Sequence, residues 1–232
     1  MSHRENITRI KAVYNALEEL QREVVFVGGA TVSLYADRAG EEVRPTNDVD
    51  ILIELLNYKD YQQLENKLRA KGFVNDHESK IICRYKIRGI VVDVMPTSAD
   101  ILGFTNKWYQ KGFANAIDYQ LTTNGRENYI IRLFSPEYFI ATKLEAFNNR
   151  GQLDGRTSSD FEDIIYLLNN RTTIWQELQY AEEEVRAYLL AAFTALTNNP
   201  YLDEWIGANL EFSEKARVTF IIDQIKQLIA SK

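Results

Sequence analysis

Asp48 and Asp50 open the apolar run Asp48-Val-Asp-Ile-Leu-Ile53, and this pair restricts the fold more tightly than any other feature. The run is short, β-branched and uncharged beyond its second carboxylate, which predicts a buried strand. Residues two apart on a strand point to the same face, roughly 6–7 Å apart along it. Two like charges on one face of a core strand destabilise a fold unless a positive group sits between them. A hard dication held by carboxylate oxygens meets that need, and Mg²⁺ favours a few carboxylates together with substrate phosphates. The chain must therefore fold so that this face meets a cation.

A third acid joins the pair. Residues Lys80 to Met95 alternate on both sides of Arg88-Gly89, and glycine supplies the positive φ that a two-residue hairpin loop demands. Pairing about that loop sets Asp93 opposite Arg84, and Asp93 is the one acid of its strand. Arg84 then either holds Asp93 ionised, touches a substrate, or forms an ordinary cross-strand ion pair. Upstream, Val24 to Val27 reads as a short strand, broken by Gly28-Gly29, with Ala30 to Asp37 as a helix start. A strand–glycine–helix turn lets backbone N–H groups approach a phosphate closely. Glycines for a triphosphate and Asp48, Asp50 and Asp93 for two metals make a phosphoryl-transfer arrangement.

Val27-Gly28-Gly29, then Asp48-Val49-Asp50-Ile51, then Asp93 resembles the signature of nucleotidyltransferases of the DNA polymerase β superfamily. Two later stretches narrow the likeness. Lys143-Leu-Glu-Ala146-Phe-Asn-Asn-Arg150 and Arg156-Thr-Ser-Ser-Asp160-Phe-Glu-Asp163-Ile-Ile-Tyr-Leu167 are similar to patterns of the AbiEii-type toxin nucleotidyltransferases, as is Arg44-Pro-Thr46 ahead of the acid pair. The likeness covers about residues 24–170. The first motif here reads Gly28-Gly29-Ala-Thr31-Val-Ser33, so Thr31 or Ser33 supplies the hydroxyl.

The resemblance implies a Mg²⁺-dependent enzyme, with two ions, that moves a nucleoside monophosphate from an NTP to an acceptor hydroxyl, on a tRNA 3′ end or a protein. It also implies a toxin of a toxin–antitoxin or phage-defence pair, with a cognate antitoxin as partner. Gly28, Gly29 and Ser33 would take the phosphates, with Lys143 and Arg150. Asp48, Asp50 and Asp93 would ligate metal, and Asp93 would accept the proton of the attacking hydroxyl. Asp163 is expected to orient Lys143 or Arg150 by a salt bridge, whereas Asp160 can be explained by the helix dipole alone. Two alternatives stand beside this reading: a nucleotidyltransferase for small cationic molecules such as aminoglycosides, and a non-catalytic regulatory member.

Composition sets the outer bounds. A length of 232 residues suits one large domain or two small ones. The longest apolar runs fall far short of the ~20 residues a membrane span needs, the polar start is no signal peptide, and one cysteine, Cys83, precludes an internal disulfide. A cytoplasmic home without a membrane is the expectation. The two histidines, His3 and His77, stand far apart among polar neighbours and read as surface. A net charge of −6 argues against a broad nucleic-acid footprint and leaves room for a local one. Arg126, Arg132, Lys143, Arg150 and Arg156 are available for it, although such clusters are more often solvated faces than binding grooves.

Hydrophobic periods give the organisation. Ile7, Ile10, Val13, Leu17 and Leu20 make one helical stripe; Tyr58, Tyr61, Leu64 and Leu68 make another, closed by Gly72. Residues 116–120 and 129–133 read as strands around an Asn124-Gly125 turn, and Cys83 as a mid-strand residue. From Ser135 the chain reads helical, with Ser159-x-x-Glu162 as a capping box, then helices over 175–197 and 213–231. Trp108, Tyr109 and Phe113 are core aromatics or a platform for a base. The expected fold is α+β: a small mixed β-sheet catalytic domain with flanking helices over 1–134, and a helical bundle over 135–232 packed against it.

Overall fold

The acid-bearing run does form a strand, and it lies inside the sheet. The computed structural model describes residues 2–38, 43–121, 129–150 and 154–231. The fold is α+β, in two compact units: Met1–Ser33 with Glu42–Ser135, and Leu34–Glu41 with Pro136–Lys232.

In the first unit, helix α1 (Ser2–Leu17) buries Ile10, Val13 and Leu17 completely. Strand β1 (Val24–Val27) is buried throughout, and β2 (Asp48–Ile53) pairs with it antiparallel, setting Val27 against Asp50. Helix α2 (Tyr58–Ala70) starts at Asn57, whose side chain accepts the N–H groups of Lys59 and Asp60 at 2.9 and 3.1 Å. It ends at Gly72, whose φ of +88° is the left-handed turn glycine permits. Short β3 (Val74–Asn75) leads to the hairpin of β4 (Arg84–Ile87) and β5 (Ile90–Pro96). Arg88 and Gly89, at φ +50° and +79°, form its two-residue turn, and Arg84 faces Asp93 as the loop chemistry requires. Helices α3 (Ala99–Leu102) and α4 (Tyr109–Ala114) precede β6 (Ile117–Leu121) and β7 (Tyr129–Leu133), which pair antiparallel. The expected Asn124-Gly125 turn and Arg126 lie outside the described residues.

Among the described residues the strands form one seven-stranded mixed sheet in the order β3-β4-β5-β2-β1-β7-β6. β2 runs parallel to β5, with Val49 beside Val92, Asp50 beside Asp93 and Ile51 beside Val94. Val49, Ile51, Val92 and Val94 are buried on one face and the acids take the other, and α1 packs against both strands. Trp108 and Phe113 are buried core aromatics.

In this part of the chain three local expectations differ. Residues 30–37 do not start an α-helix; Gly29–Leu34 is a 3₁₀ turn. Gly28 enters it at φ +73°, and its carbonyl accepts both the N–H (3.2 Å) and the hydroxyl (2.9 Å) of Thr31, an i→i+3 closure. Cys83 lies one residue before β4, where its carbonyl accepts the Val94 N–H at 2.8 Å. Tyr58 is exposed, because it opens α2 at the surface turn.

The second unit is helical among its described residues. Helix α5 (Pro136–Asn149) begins at a proline, whose missing N–H costs nothing in a first turn. Helix α6 (Ser159–Asn170) is capped one residue earlier than the sequence suggests: Ser158 Oγ accepts the Phe161 N–H at 3.3 Å, so the Ser159–Glu162 capping box does not form. The long helix expected over 175–197 is two, α7 (Ile174–Gln179) and α8 (Glu183–Thr197). At the break Glu182 takes ψ 143° and its carboxylate accepts the Tyr138 hydroxyl at 2.7 Å. Helix α9 (Leu202–Ala208), absent from the sequence reading, places Trp205 edge-on to Phe147 and Phe161 at 5.9 and 5.7 Å. Helix α10 (Arg217–Ala230) starts after a 3₁₀ turn, Phe212–Glu214. Among the described residues no helix is long and apolar enough to cross a membrane.

Candidate active site

Parallel pairing of β2 with β5 assembles the acids. Asp48 and Asp50 share a face because they are two apart on β2, and Asp93 joins them because it is in register with Asp50. Each offers one carboxylate oxygen, and these oxygens all lie within 4.8 Å of one another. Asp93 is buried and the other two are half-buried, so solvent screens their repulsion only partly. Oxygens on one Mg²⁺ at about 2.1 Å lie about 3 Å apart when adjacent and about 4.2 Å when opposite. Small side-chain adjustments, or two ions about 3.5–4 Å apart, match the observed spread. All the donors are hard oxygens, which suits Mg²⁺ or Mn²⁺.

Arg84 enters from the hairpin. Its Nε and Nη2 donate to the two oxygens of Asp93 at 2.8 and 2.7 Å, and Nη2 also reaches Asp48 at 3.4 Å. The Asp93 hydrogen bond, then the fields of Asp93, Asp48 and Asp50, push the guanidinium further above its ordinary range, against the opposing effect of burial. Neighbouring Cys83 is buried, and that burial, with a smaller contribution from Asp93, pushes its thiol up to about 11.

The paired glycines are fitted to the acid strand. A Cβ at Gly28 would overlap the Asp50 carboxylate, with Asp50 Cγ only 2.7 Å away. At Gly29 it would strike the Arg44 guanidinium and come within 2.7 Å of Thr46 Cγ2. The two motifs are thus in contact. Thr46 is in turn held by α1: its hydroxyl donates to Asn6 Oδ1 at 3.2 Å, and Arg9 donates to its carbonyl. Asn6 and Arg9 escaped the sequence reading, although Asn6 stands in the stripe of Ile10, Val13 and Leu17 and is fully buried. Of the two candidate hydroxyls, Thr31 is engaged by Gly28, whereas the buried Ser33 Oγ has no hydrogen-bond partner among the described residues.

In the second unit, α5 and α6 bring Lys143, Asp160, Asp163 and Arg150 together. Lys143 Nζ lies 2.6 Å from Asp163 and 3.2 Å from Asp160, and Arg150 lies 2.9 Å from Asp160. Two acids and two bases balance in charge. Lys143, Asp160 and Asp163 are nearly inaccessible, while the Arg150 side chain is 70% exposed. The expected salt bridge of Asp163 goes to Lys143, and Asp160, credited by sequence to the helix dipole alone, also pairs with both cations.

No protein-family model matches the chain, and no curated protein matches it significantly. Among solved structures it is similar to the antibiotic-resistance factor ANT(2'')-Ia, in a solution structure matched at 16% identity with a TM-score of 0.46, over 85% of this chain and 97% of that one. No family assignment follows. The functional reading rests on the site.

Proposed function

We propose that the chain is a divalent-metal-dependent nucleotidyltransferase, moving a nucleoside monophosphate from an NTP to an acceptor hydroxyl. One observation carries the reading: Asp48, Asp50 and Asp93 place oxygens within 4.8 Å of one another, beside a Gly28-Gly29 turn packed on the same strand. The three acids would hold the ions, which when bound would supply Lewis-acid charge on the transferring phosphoryl and the leaving pyrophosphate. Backbone N–H groups of the glycine turn and the Ser33 hydroxyl are donors for the phosphates. Asp93 would take the proton of the attacking hydroxyl, directly or through water; the acceptor oxygen bonds to the α-phosphorus as the α–β bridge breaks.

The acceptor proposed is a tRNA 3′ end or a protein hydroxyl, in the setting of a toxin with a cognate antitoxin. A net charge of −6 favours a second reading, a small cationic acceptor. The test incubates the protein with Mg²⁺, each α-³²P-labelled NTP, and in separate arms total tRNA, a protein extract and cationic aminoglycosides. An Asp48→Ala/Asp50→Ala variant is the control. Label that appears in one arm and vanishes in the control names the acceptor. Equal labelling by the control, or none in any arm, overturns the enzymatic reading.

A further inference from the structure

Arg84 holds the acids a metal would need. One guanidinium grips both oxygens of Asp93 in a fork, at 2.8 and 2.7 Å, and reaches Asp48 at 3.4 Å. Its side chain is only 22% accessible, and the tight Arg88-Gly89 turn fixes it opposite Asp93. The arrangement exceeds an ordinary hairpin pair, because Asp48 lies on a different strand, separated from β4 by β5.

We propose that Arg84 is the resident counter-cation of this cluster: it holds Asp48 and Asp93 in place before a dication arrives, and competes with the dication for them. The proposal rests on the reading of Asp48, Asp50 and Asp93 as metal ligands. With three carboxylate oxygens within 4.8 Å, the cluster repels itself unless a cation is present, and Arg84 is built in to serve. A dication entering beside a guanidinium meets repulsion in turn, so the same residue that stabilises the empty cluster weakens its metal affinity. The two effects are reciprocal by linkage. Arg84 is a positioning residue, and its removal should move metal affinity and metal-free stability in opposite directions.

The test compares wild type, Arg84→Gln, Arg84→Lys, Asp93→Asn and the Arg84→Gln/Asp93→Asn double variant. Each is melted in EDTA and titrated with Mn²⁺ alone, free ion being read by electron paramagnetic resonance. Arg84→Gln should melt lower than wild type in EDTA and bind Mn²⁺ about tenfold tighter, within the range common for coupled sites. Saturating Mn²⁺ should close most of the gap in melting temperature. Arg84→Lys, which keeps the charge and loses the fork, should fall between. The double variant should melt above Arg84→Gln, since one repelling charge is gone. Mn²⁺ affinity unchanged or weakened in Arg84→Gln overturns the competition, and a double variant no more stable than Arg84→Gln overturns the counter-cation role. Equal Mn²⁺ binding by wild type and Asp93→Asn, or none by either, overturns the metal reading itself and the competition with it. If Arg84→Gln does not fold, a folded double variant upholds the counter-cation role and an unfolded one overturns it. Arg84→Lys against wild type then carries the Mn²⁺ comparison, and an affinity no tighter than wild type overturns the competition.

Discussion

Gly28→Ala separates two effects that glycine serves at once. The residue sits at φ +73°, where an alanine costs about 1–2 kcal/mol. The new methyl would also overlap the Asp50 carboxylate, with Cγ at 2.7 Å and Cβ at 3.0 Å. Two routes relieve that overlap. Forcing the backbone apart costs about 1–3 kcal/mol, whereas turning the Asp50 side chain off its rotamer costs about 0.5–1.5 kcal/mol. The cheaper route wins, so the carboxylate leaves the cluster and the fold survives. Gly89→Ala is the control: it has φ +79°, and nothing lies within 4 Å of an added Cβ. Both variants should lose about 1–2 kcal/mol to backbone strain, and Gly28→Ala should lose about 1 kcal/mol more to the rotamer. At about 2–4 °C per kcal/mol for a chain of this size, melts in EDTA resolve the difference. Mn²⁺ affinity should fall at least about tenfold in Gly28→Ala, judged by what disturbing ligand orientation costs elsewhere, and stay at the wild-type value in Gly89→Ala. Equal affinities in the two variants would refute the claim that Gly28 makes room for Asp50.

Asp48→Asn and Asp93→Asn should each cut nucleotide transfer by about 10³-fold or more, with the circular dichroism spectrum unchanged. Lys143→Met leaves Asp160 and Asp163 buried beside an apolar tip, and should cost about 3–5 kcal/mol in denaturant unfolding. Adding Asp163→Leu should recover much of that loss, while Arg150→Ala, which removes a largely exposed partner, should cost less than about 1 kcal/mol. Cys83, buried and with its thiol pushed up to about 11, should resist alkylation at pH 8 until the protein is unfolded. Because the folded state holds that proton more tightly, its contribution to stability is complete below pH 9.0 and is lost as pH rises toward 11, which melts across that window would show.

The acid strand and the hairpin were legible because both obey local rules. A short, β-branched apolar run marks β2, and Arg88-Gly89 fixes its own register, so Arg84 opposite Asp93 follows from turn chemistry alone. The alignment of Asp50 with Asp93 is a parallel pairing across a long connection, and no local signal sets it. Gly28-Gly29 suggested an approach to phosphate; that Gly28 is pressed against Asp50 depends on the neighbouring strand and could not be read. Adjacent Ser158 and Ser159 are equivalent by propensity, so the cap was misplaced by one residue. The break between α7 and α8 carries neither glycine nor proline and is fixed by the tertiary contact of Tyr138 with Glu182. Asn6 was passed over because a polar residue in an apolar stripe counts against the stripe, although its partner is Thr46 of the acid motif.

Strands β2 and β5 are interior to the sheet, and its two edges are β3 and β6. Lengthening an edge strand or a surface connection costs little, because added loop length is penalised only logarithmically. Shifting an interior strand by one residue would turn every side chain on it to the opposite face. Mutation can therefore remodel the periphery freely while the spacing of Asp48, Asp50 and Asp93 stays fixed. Lineages sharing this architecture should diverge in what they act upon long before they diverge in the chemistry performed.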